Sequence, residues 1–321
     1  MRSVLQIVKL IKIENIISIM VAKKKIIADM HTHLNEKNID PNDWWAAVKK
    51  RKLSVIAITE HAEYTPGTAY QKLLPLKPEN VILIPGMEAN TTAGHLLIYG
   101  TDSTLYNVPD IQTIKVPFEK ALSRINEYGL TASFAHPYGY KDDSICSILG
   151  EKKARQTIKK YKVGSEYYNG MLGSANNFIF GAQWVKKLYN FFDFMSKSNA
   201  GKKLMLRKKS IKIKTQLERV SEETFERVRK GMSFGLGSTY ISAGSDAHYP
   251  RAIGSSVVEL KKMPKNEADF LKMIQSKQIN WAGPNIYSKE PMNNIRKKEL
   301  LEGLKYAVTK RIKKKIKRTR K

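Results

Sequence analysis

The sequence predicts an α/β fold, in which strands and helices alternate around a mainly parallel sheet. Two observations carry this prediction. Short apolar runs recur through the first half and read as buried strands; they are "KKIIADMH", "KLSVIAITEH", "NVILIPGME", "GHLLIYG" and "GLTASFAHP". Helix-length stretches separate several of these runs, an alternation typical of α/β proteins. In the barrel version of this class, the carboxyl ends of the strands carry the active site.

Two of the intervening stretches carry helix signals. Residues 41–52 begin with a proline and continue with apolar residues at helical spacing. Residues 116–129 show the same spacing and stop at Gly129, a typical residue at the C-terminal end of a helix. We therefore expect one helix in each stretch.

The second half of the chain has a different pattern. A further strand is expected at 161–170, and residues 171–235 then form a long, basic, helical-looking stretch. We interpret this stretch as an insertion or lid over the barrel mouth. Strand patterns return at 238–248 and 255–260. The predicted organisation is therefore a barrel that includes the insertion, 25–290, an N-terminal extension, 1–24, and a basic C-terminal tail, 291–321.

Cysteine usage and the N-terminal sequence favour a cytoplasmic protein. The single cysteine, Cys146, excludes an intrachain disulfide, and no histidine stands beside it, which argues against a thiol nucleophile. Lys9, Lys12 and Glu14 interrupt the apolar N-terminus, and no small-residue cleavage site follows. This segment therefore fits neither a membrane span nor a secretion signal. Met20 offers an alternative start of translation.

The positive charge of the chain is concentrated in two segments. The formal net charge is +28, of which residues 195–230 hold +8 and residues 296–321 hold +11. Such basic segments indicate a polyanionic partner such as nucleic acid. The alternative is a solvated, lysine-rich surface without a partner. The sequence favours neither reading over the other.

The six histidines share a position in the strand pattern. Five of them lie at or just past the end of an apolar run, and the sixth, His95, opens one. Residues two apart on a strand face the same way, so two imidazoles about 6.5 Å apart at Cα can converge on one cation. Asp29, His31 and His33 have this spacing, and Asp246 and His248 repeat it.

These positions together predict a centre with more than one metal ion. Glu88 ends a further apolar run and offers a carboxylate that can bridge two ions. A mixed imidazole and carboxylate set without thiolates suits zinc, manganese or iron. Two ions fit the candidate ligands, and His61 leaves room for a third; the candidates are His31, His33, Glu88, His95, His136, Asp246 and His248.

Five motifs in this sequence resemble those of the polymerase and histidinol phosphatase (PHP) family, in the same order. They are "DMHTH", "ITEH", "GMEANTTAGH", "AHPYG" and "GSDAH", and together they span residues 29–248 and include all six histidines. The resemblance implies a distorted (β/α)7 TIM-like barrel with a binuclear or trinuclear metal centre at its C-terminal mouth. It also implies a metal-dependent phosphoesterase, a hydrolase acting on ester bonds.

Carried over by position, the resemblance implies three sets of metal ligands. The first ion would be held by His31, His33, Glu88 and Asp246. Glu88 would bridge to a second ion held by His95 and His136, and His61 and His248 would belong to a third.

Two departures from the family pattern affect these sets. The family usually has Asp before the histidine of its second motif, where this chain has Glu60; we expect His61 as the ligand and Glu60 behind it. At the usual position of a further third-site ligand stand Asn38 and Ile39. Glu36 or Asp40 could substitute, so we expect two tight sites and a weak or exchangeable third.

The expected chemistry is attack of a metal-bridging hydroxide on a phosphate ester. Asp246 would orient the hydroxide and collect its proton, and His248 or a water on the third ion would assist the leaving oxygen. Arg251 would clamp the phosphate through two hydrogen bonds, unless it is a surface arginine. Pocket-shaping roles are open to Tyr138, Tyr140, Glu166 and Asn169.

Three functions remain open at the level of the sequence. The first is a phosphatase on a small phosphomonoester or nucleotide, for which the compact ligand set suffices. The second is a nuclease or end-processing phosphoesterase, in which the basic insertion and tail would follow a nucleic-acid backbone. The third is a non-catalytic, metal-bearing protein that binds nucleic acid. Tyr306 is the only aromatic residue in the basic tail, which favours electrostatic tethering over base stacking.

Overall fold

The computed structural model describes residues 25–139, 141–176, 183–203 and 205–288. The predicted N-terminal extension and the predicted basic tail lie outside these residues, as do Tyr140 and part of the predicted insertion. None of the described helices combines the length and the apolar character that a membrane span requires.

Nine strands in the described residues form one sheet, and its first seven strands follow each other in chain order. The strands are β1 Ile27–Asp29, β2 Val55–Ile58, β3 Ile82–Thr91, β4 Gly94–Tyr99, β5 Thr131–Phe134, β6 Gly164–Asn169, β7 Ile241–Gly244, β8 Ser256–Leu260 and β9 Ile279–Pro284. Each predicted apolar run therefore contains a strand.

The sheet curls until β7 returns to the first strand. The backbone N–H of Met30, just after β1, donates to the carbonyl of Ala243 in β7 at 3.2 Å. Beyond these strands, Thr32 and Ala247 form a parallel bridge. Strands β8 and β9 extend the sheet past β1 as antiparallel neighbours. The predicted α/β class with a distorted TIM-like barrel is confirmed.

The distortion comes from β4, which runs against its neighbours on both sides. The other neighbouring pairs from β1 to β7 are parallel. Only two residues join β3 to β4, so no helix fits between them, and the strict alternation that the sequence suggested is interrupted here. Gly94 begins β4 with φ of 112°, and a Cβ at this position would lie 2.8 Å from the carbonyl oxygen of Asp143. The tight connection therefore requires glycine.

The described residues also form ten α-helices. They are α1 Pro41–Lys50, α2 Pro66–Leu73, α3 Phe118–Glu127, α4 Ile145–Ile148, α5 Glu151–Tyr161, α6 Gly170–Asn176, α7 Gln183–Lys197, α8 Asn199–Lys203, α9 Arg207–Leu236 and α10 Glu267–Gln275. Both helices predicted from the sequence are present, as α1 and α3. Trp44 and Val48 of α1 are fully buried against the strands of the first β/α units.

The described part of the predicted insertion is mostly helical. Its longest helix, α9, has 30 residues and is therefore about 45 Å long. The end of α9 is anchored in the core, where Phe234 is fully buried with its ring 6.4 Å from that of Phe134. Gly235 lies against Tyr167 of β6, because a Cβ there would be 3.1 Å from the Tyr167 backbone. The barrel thus holds one end of a long basic helix.

Candidate metal centre

The candidate ligands gather at one end of the barrel because of where each strand ends or begins. His31 and His33 follow β1, His61 follows β2, and His136 follows β5. Strand β4 runs in the opposite direction, so its beginning, with His95, reaches the end of the barrel that the other strands reach with their carboxyl ends. This reversal explains why His95 opens an apolar run while the other histidines close one.

Glu88 of β3 is fully buried at the centre of this cluster. Its Oε1 lies 2.7 Å from Nδ1 of His95 and 3.0 Å from Nε2 of His136. Its Oε2 lies 3.0 Å from Nε2 of His31 and 3.2 Å from Nδ1 of His61. Each oxygen of this carboxylate therefore faces a different pair of imidazoles.

Asp246 is the second shared carboxylate. Its Oδ1 lies 3.1 Å from Nε2 of His33 and 3.5 Å from Nε2 of His31, and its Oδ2 accepts a hydrogen bond from Asn169 at 3.2 Å. The residue has a left-handed φ of 52°, and its backbone N–H donates to the carbonyl of His31 at 2.7 Å. Its own carbonyl accepts from Nδ1 of His248 at 2.9 Å.

Glu36 lies in the third group of candidate ligands, for which the sequence offered either Glu36 or Asp40. Its Oε2 lies 2.7 Å from Nε2 of His248 and 3.7 Å from Nε2 of His61. The other candidate, Asp40, instead caps α1 by accepting from the N–H of Asn42 at 2.7 Å. The geometry therefore selects Glu36 as the carboxylate beside the third group.

Within the described residues, the nitrogen and oxygen atoms form three groups whose members lie within 4.8 Å of one another. They are His31, His33, Glu88 and Asp246; His61, Glu88 and His95; and His33, Glu36, His61 and His248. His136 belongs to none of these groups, although it contacts Glu88. In a tetrahedral site with bonds of about 2.0–2.1 Å, neighbouring ligand atoms stand about 3.4 Å apart.

Some buried atoms of the centre have no hydrogen-bond partner, although most of its contacts are hydrogen bonds. Oε2 of Glu36 is buried and has no hydrogen-bond partner with suitable angles, although Nε2 of His248 is only 2.7 Å away. This separation is shorter than the spacing of about 3.4 Å between two ligands of one tetrahedral ion, so the two atoms would have to move apart to share an ion. Nδ1 of His136 is also buried without a partner. The donor set contains only imidazole and carboxylate, which suits zinc, manganese or iron.

A second layer of carboxylates supports the histidines of the first motif. Oε1 of Glu60 lies 3.4 Å from Nδ1 of His33, and the other oxygen of Glu60 accepts from the N–H of Leu34 at 2.7 Å. Glu166 lies 3.0 Å from Nδ1 of His31 and accepts from the backbone N–H of His136 at 2.7 Å. Such partners fix the orientation of a ligating imidazole.

Asp29 has a structural position, although the sequence spacing grouped it with His31 and His33. Its carboxylate accepts backbone N–H groups of Ser245 at 2.8 Å, Gly254 at 2.7 Å and His31 at 3.2 Å. Burial raises its pKa to about 6. Asp29 thus ties β1 to the loops after β7, and its neighbours on the strand carry the nitrogens that face the cluster.

The carboxylates of the centre hold protons on several imidazoles. Burial lowers the pKa of His33, but Asp246 and Glu60 outweigh burial and raise this pKa to about 10. Glu88 raises the pKa of His136 to about 9 against the effect of burial. Burial dominates at His61 and lowers its pKa to about 4. The buried carboxylates therefore need compensating positive charge, which protons or metal ions can supply.

The remaining candidates take other positions. The guanidinium of Arg251 lies 5.7 Å from the ring centroid of Tyr249, and the Arg251 carbonyl accepts from Arg51. Tyr138 hydrogen-bonds to Glu151 and also lines a small cavity together with Glu166 and Asn169. Burial raises the pKa of Cys146 to about 12, which agrees with the absence of a thiol nucleophile.

The last motif lies in a segment that matches a family model. The model is described as "PHP-associated" and matches residues 239–279, which include Asp246 and His248. The four other motifs meet this segment at the barrel mouth, as the resemblance in the sequence implied. The match to this family model is confined to this segment of the chain.

Other comparisons show more distant likenesses of this chain. An uncharacterised protein of Methanocaldococcus jannaschii, MJ1587, is 27% identical over 163 residues, which cover 47% of this chain and 86% of that protein. The lesion-specific endonuclease PfuEndoQ of Pyrococcus furiosus superposes with a TM-score of 0.47 and 13% identity over 80% of this chain and 58% of its own. A presumed metal-dependent phosphoesterase of Bifidobacterium adolescentis has a TM-score of 0.44 and 10% identity, covering 79% of this chain and 96% of its own.

Proposed function

We propose that this protein hydrolyses a phosphomonoester of a small molecule or nucleotide, using two or three divalent ions held at the barrel mouth. The supporting observation is the position of Glu88, whose two oxygens each lie within 3.2 Å of two imidazole nitrogens. A buried carboxylate so placed can bridge two cations. Zinc, manganese and iron all suit its partners.

The proposed ligands follow the three groups of the centre. His31, His33, Glu88 and Asp246 would hold one ion. Glu88 would share a second ion with His95 and with His136 or His61. Glu36 would join His33, His61 and His248 around a third, so that the third site has a carboxylate despite the uncharged residues Asn38 and Ile39.

The chain's own residues would orient the reaction. Bound ions would acidify a water and neutralise phosphoryl oxygens. Asn169 holds Oδ2 of Asp246, which leaves Oδ1 directed at the imidazoles and able to orient the attacking water. Nδ1 of His248 donates to the Asp246 carbonyl, so Nε2 is the acceptor of the neutral ring and suits an ion more than a leaving group. Arg251 remains a predicted phosphate clamp.

The proposal is tested with p-nitrophenyl phosphate and added Mn²⁺. We expect release of p-nitrophenol by the wild type and a loss of about 100-fold or more in kcat for Asp246→Asn, because an oriented group at the reacting water contributes about this much. Asp43→Asn, an exposed carboxylate on α1, is the matched control. Absence of hydrolysis of any phosphoester by the metal-loaded wild type would refute the proposal.

A nuclease or end-processing phosphoesterase is the second candidate, favoured by the surface of the insertion. Its segment 195–230 carries +8, and Phe191, Phe194 and Phe225 expose between 51% and 60% of their surface. Exposed aromatic rings beside cations suit a single strand, whose bases stack while its phosphates meet the cations.

Salt and truncation separate the two candidates. A nuclease should lose affinity for an oligonucleotide steeply with rising salt, because each neutralised phosphate adds about 0.7 to the logarithmic slope for single strands. Deletion of residues 296–321 should weaken a nuclease at physiological salt and leave turnover of p-nitrophenyl phosphate unchanged. Oligonucleotide binding without cleavage, in a chain that releases no phosphate, would support the non-catalytic reading instead.

A further inference from the structure

A small cavity adjoins the metal centre, and the long helix α9 forms one of its walls. The opposite walls come from the end of β5 and from β6, and they include His136, Glu166 and Asn169. On the helix side, the lining residues are Arg227, Val228 and Gly231. Two of the lining residues contact the shared carboxylates, His136 at Glu88 and Asn169 at Asp246, so one side chain separates the cavity from each carboxylate.

Arg227 lies on the stripe of α9 that faces the barrel. Residues four and seven positions apart share one face of a helix. Gly231 and Phe234 stand at these distances from Arg227, and both are buried. Arg229, two residues further along, is exposed on the opposite side of the helix. Arg227 is therefore a charged residue on a helix face whose other members are buried in the core.

No acidic side chain in the described ranges forms an ion pair with Arg227. Other arginines of the same helix do pair: Arg229 lies 2.9 Å from Glu226, and Arg219 lies 3.5 Å from Glu223. The acid that shares the cavity, Glu166, has both oxygens occupied. One faces His31, and the other accepts from the His136 N–H and from Asn169.

Chemistry indicates which ligand such a group would take. A half-buried guanidinium keeps its charge, and that charge is stabilised when an anion meets it. A phosphoryl group matches the planar fork of the guanidinium with two parallel hydrogen bonds. The phosphoester of the proposed reaction must bring such a group to the ions beside this cavity.

We propose that Arg227 binds the phosphoryl group of the substrate, so that helix α9 supplies a substrate-binding residue to the centre. This inference rests on the proposed phosphoesterase function. It assigns to an insertion residue the role that the sequence analysis gave to Arg251. The insertion would then contribute a residue directly to the active site.

The test compares Arg227→Gln and Arg227→Lys with Arg229→Gln, a matched control two residues away on the outer face. For each metal-loaded protein, kcat and KM for p-nitrophenyl phosphate are measured, together with the inhibition constant of inorganic phosphate. Metal content and thermal unfolding report on whether the centre and the fold are intact.

We expect Arg227→Gln to raise KM and the inhibition constant of phosphate by about tenfold or more, because charge-assisted hydrogen bonds are lost. Arg227→Lys should recover part of this loss, and Arg229→Gln should match the wild type. The inference about Arg227 is wrong if the wild type hydrolyses the ester and metal-loaded Arg227→Gln has the wild-type KM and the wild-type inhibition constant of phosphate. If the wild type neither hydrolyses esters nor binds phosphate, the proposed function itself fails.

Discussion

Oε2 of Glu36 lies 2.7 Å from Nε2 of His248, although the two residues come from opposite ends of the barrel sequence. Glu36 belongs to the loop after β1, and His248 to the loop after β7. The closure of the barrel between these two strands is therefore what brings this pair together. Five predictions concern such contacts around the centre.

Glu36→Gln should weaken the binding of one ion and spare the others. The amide removes a negative ligand from the group of Glu36, His61 and His248, whereas Glu88 and Asp246 remain for the other ions. We expect the affinity for one ion per chain to fall by at least about tenfold. Metal titration with elemental analysis measures this, with Asp43→Asn as the control. Unchanged affinity for every ion would exclude Glu36 as a ligand.

Glu166→Gln should reduce metal affinity without removing a ligand. Glu166 contacts Nδ1 of His31 and the backbone N–H of His136, so its loss would leave both imidazoles less firmly oriented. Changes of this kind cost about 10–100-fold in metal affinity or activity. The same titration measures the effect, and Glu119→Gln, an exposed carboxylate, is the control. Wild-type affinity in Glu166→Gln would show that Glu166 does not support the ligands.

Metal binding should release protons at neutral pH. In the metal-free protein the pKa of His33 is about 10 and that of His136 about 9, so both carry protons that an ion must displace. The affinity should therefore rise with pH. Calorimetry at pH 7 in buffers of different ionisation enthalpy counts the released protons, and a count of zero would contradict the protonation of these rings.

The same shifts fix the sign of a stability effect in the metal-free protein. A folded pKa above the ordinary value of about 6.5 means that the folded state binds the proton more tightly. The resulting stabilisation is complete below pH 6.5 and is lost as pH rises toward 10. Urea unfolding of the metal-free protein should give a lower free energy of unfolding at pH 10 than at pH 7. With metal bound, the difference between the two pH values should be smaller.

Gly244→Ala should damage the fold and the centre together. A Cβ on Gly244 would lie 2.3 Å from Cβ of His31, so β7 and β1 would have to separate where the barrel closes. We expect a loss of about 2–3 kcal/mol in the free energy of unfolding, as for other overpacked cores, and weaker metal binding. Gly231→Ala is the control, since its nearest atom would be 4.0 Å away. Equal stability of Gly244→Ala and wild type would contradict the close approach.

Much of the fold was predictable because buried strands appear in the sequence as short apolar runs. The apolar runs marked every strand from β1 to β5, and the polar residues just beyond them marked the mouth. The reversed direction of β4 was not predictable, because an apolar run does not record which way its strand points. The opening position of His95 was the one local sign of this reversal.

The site was predictable where ligands lie on strand ends and less so on loops. His31, His33, Glu88 and Asp246 were grouped from the resemblance, and the structure brings the same four together. The choice between Glu36 and Asp40 depended on a loop conformation and on the capping of α1, which spacing alone does not give. Arg227 carried no motif at all, since its only signal is the helix face it shares with Gly231 and Phe234.

The two ends of the long helix α9 differ in how well they should tolerate substitutions. Its last two turns are fixed by the barrel, because Phe234 and Gly235 pack there, while its first turns hold exposed, mostly basic positions. A chain built this way can exchange the outer part of the helix and so alter which molecules it admits, while the ion-holding residues keep their places. Selectivity could then diversify by evolution, or by grafting, independently of the reaction that the centre performs.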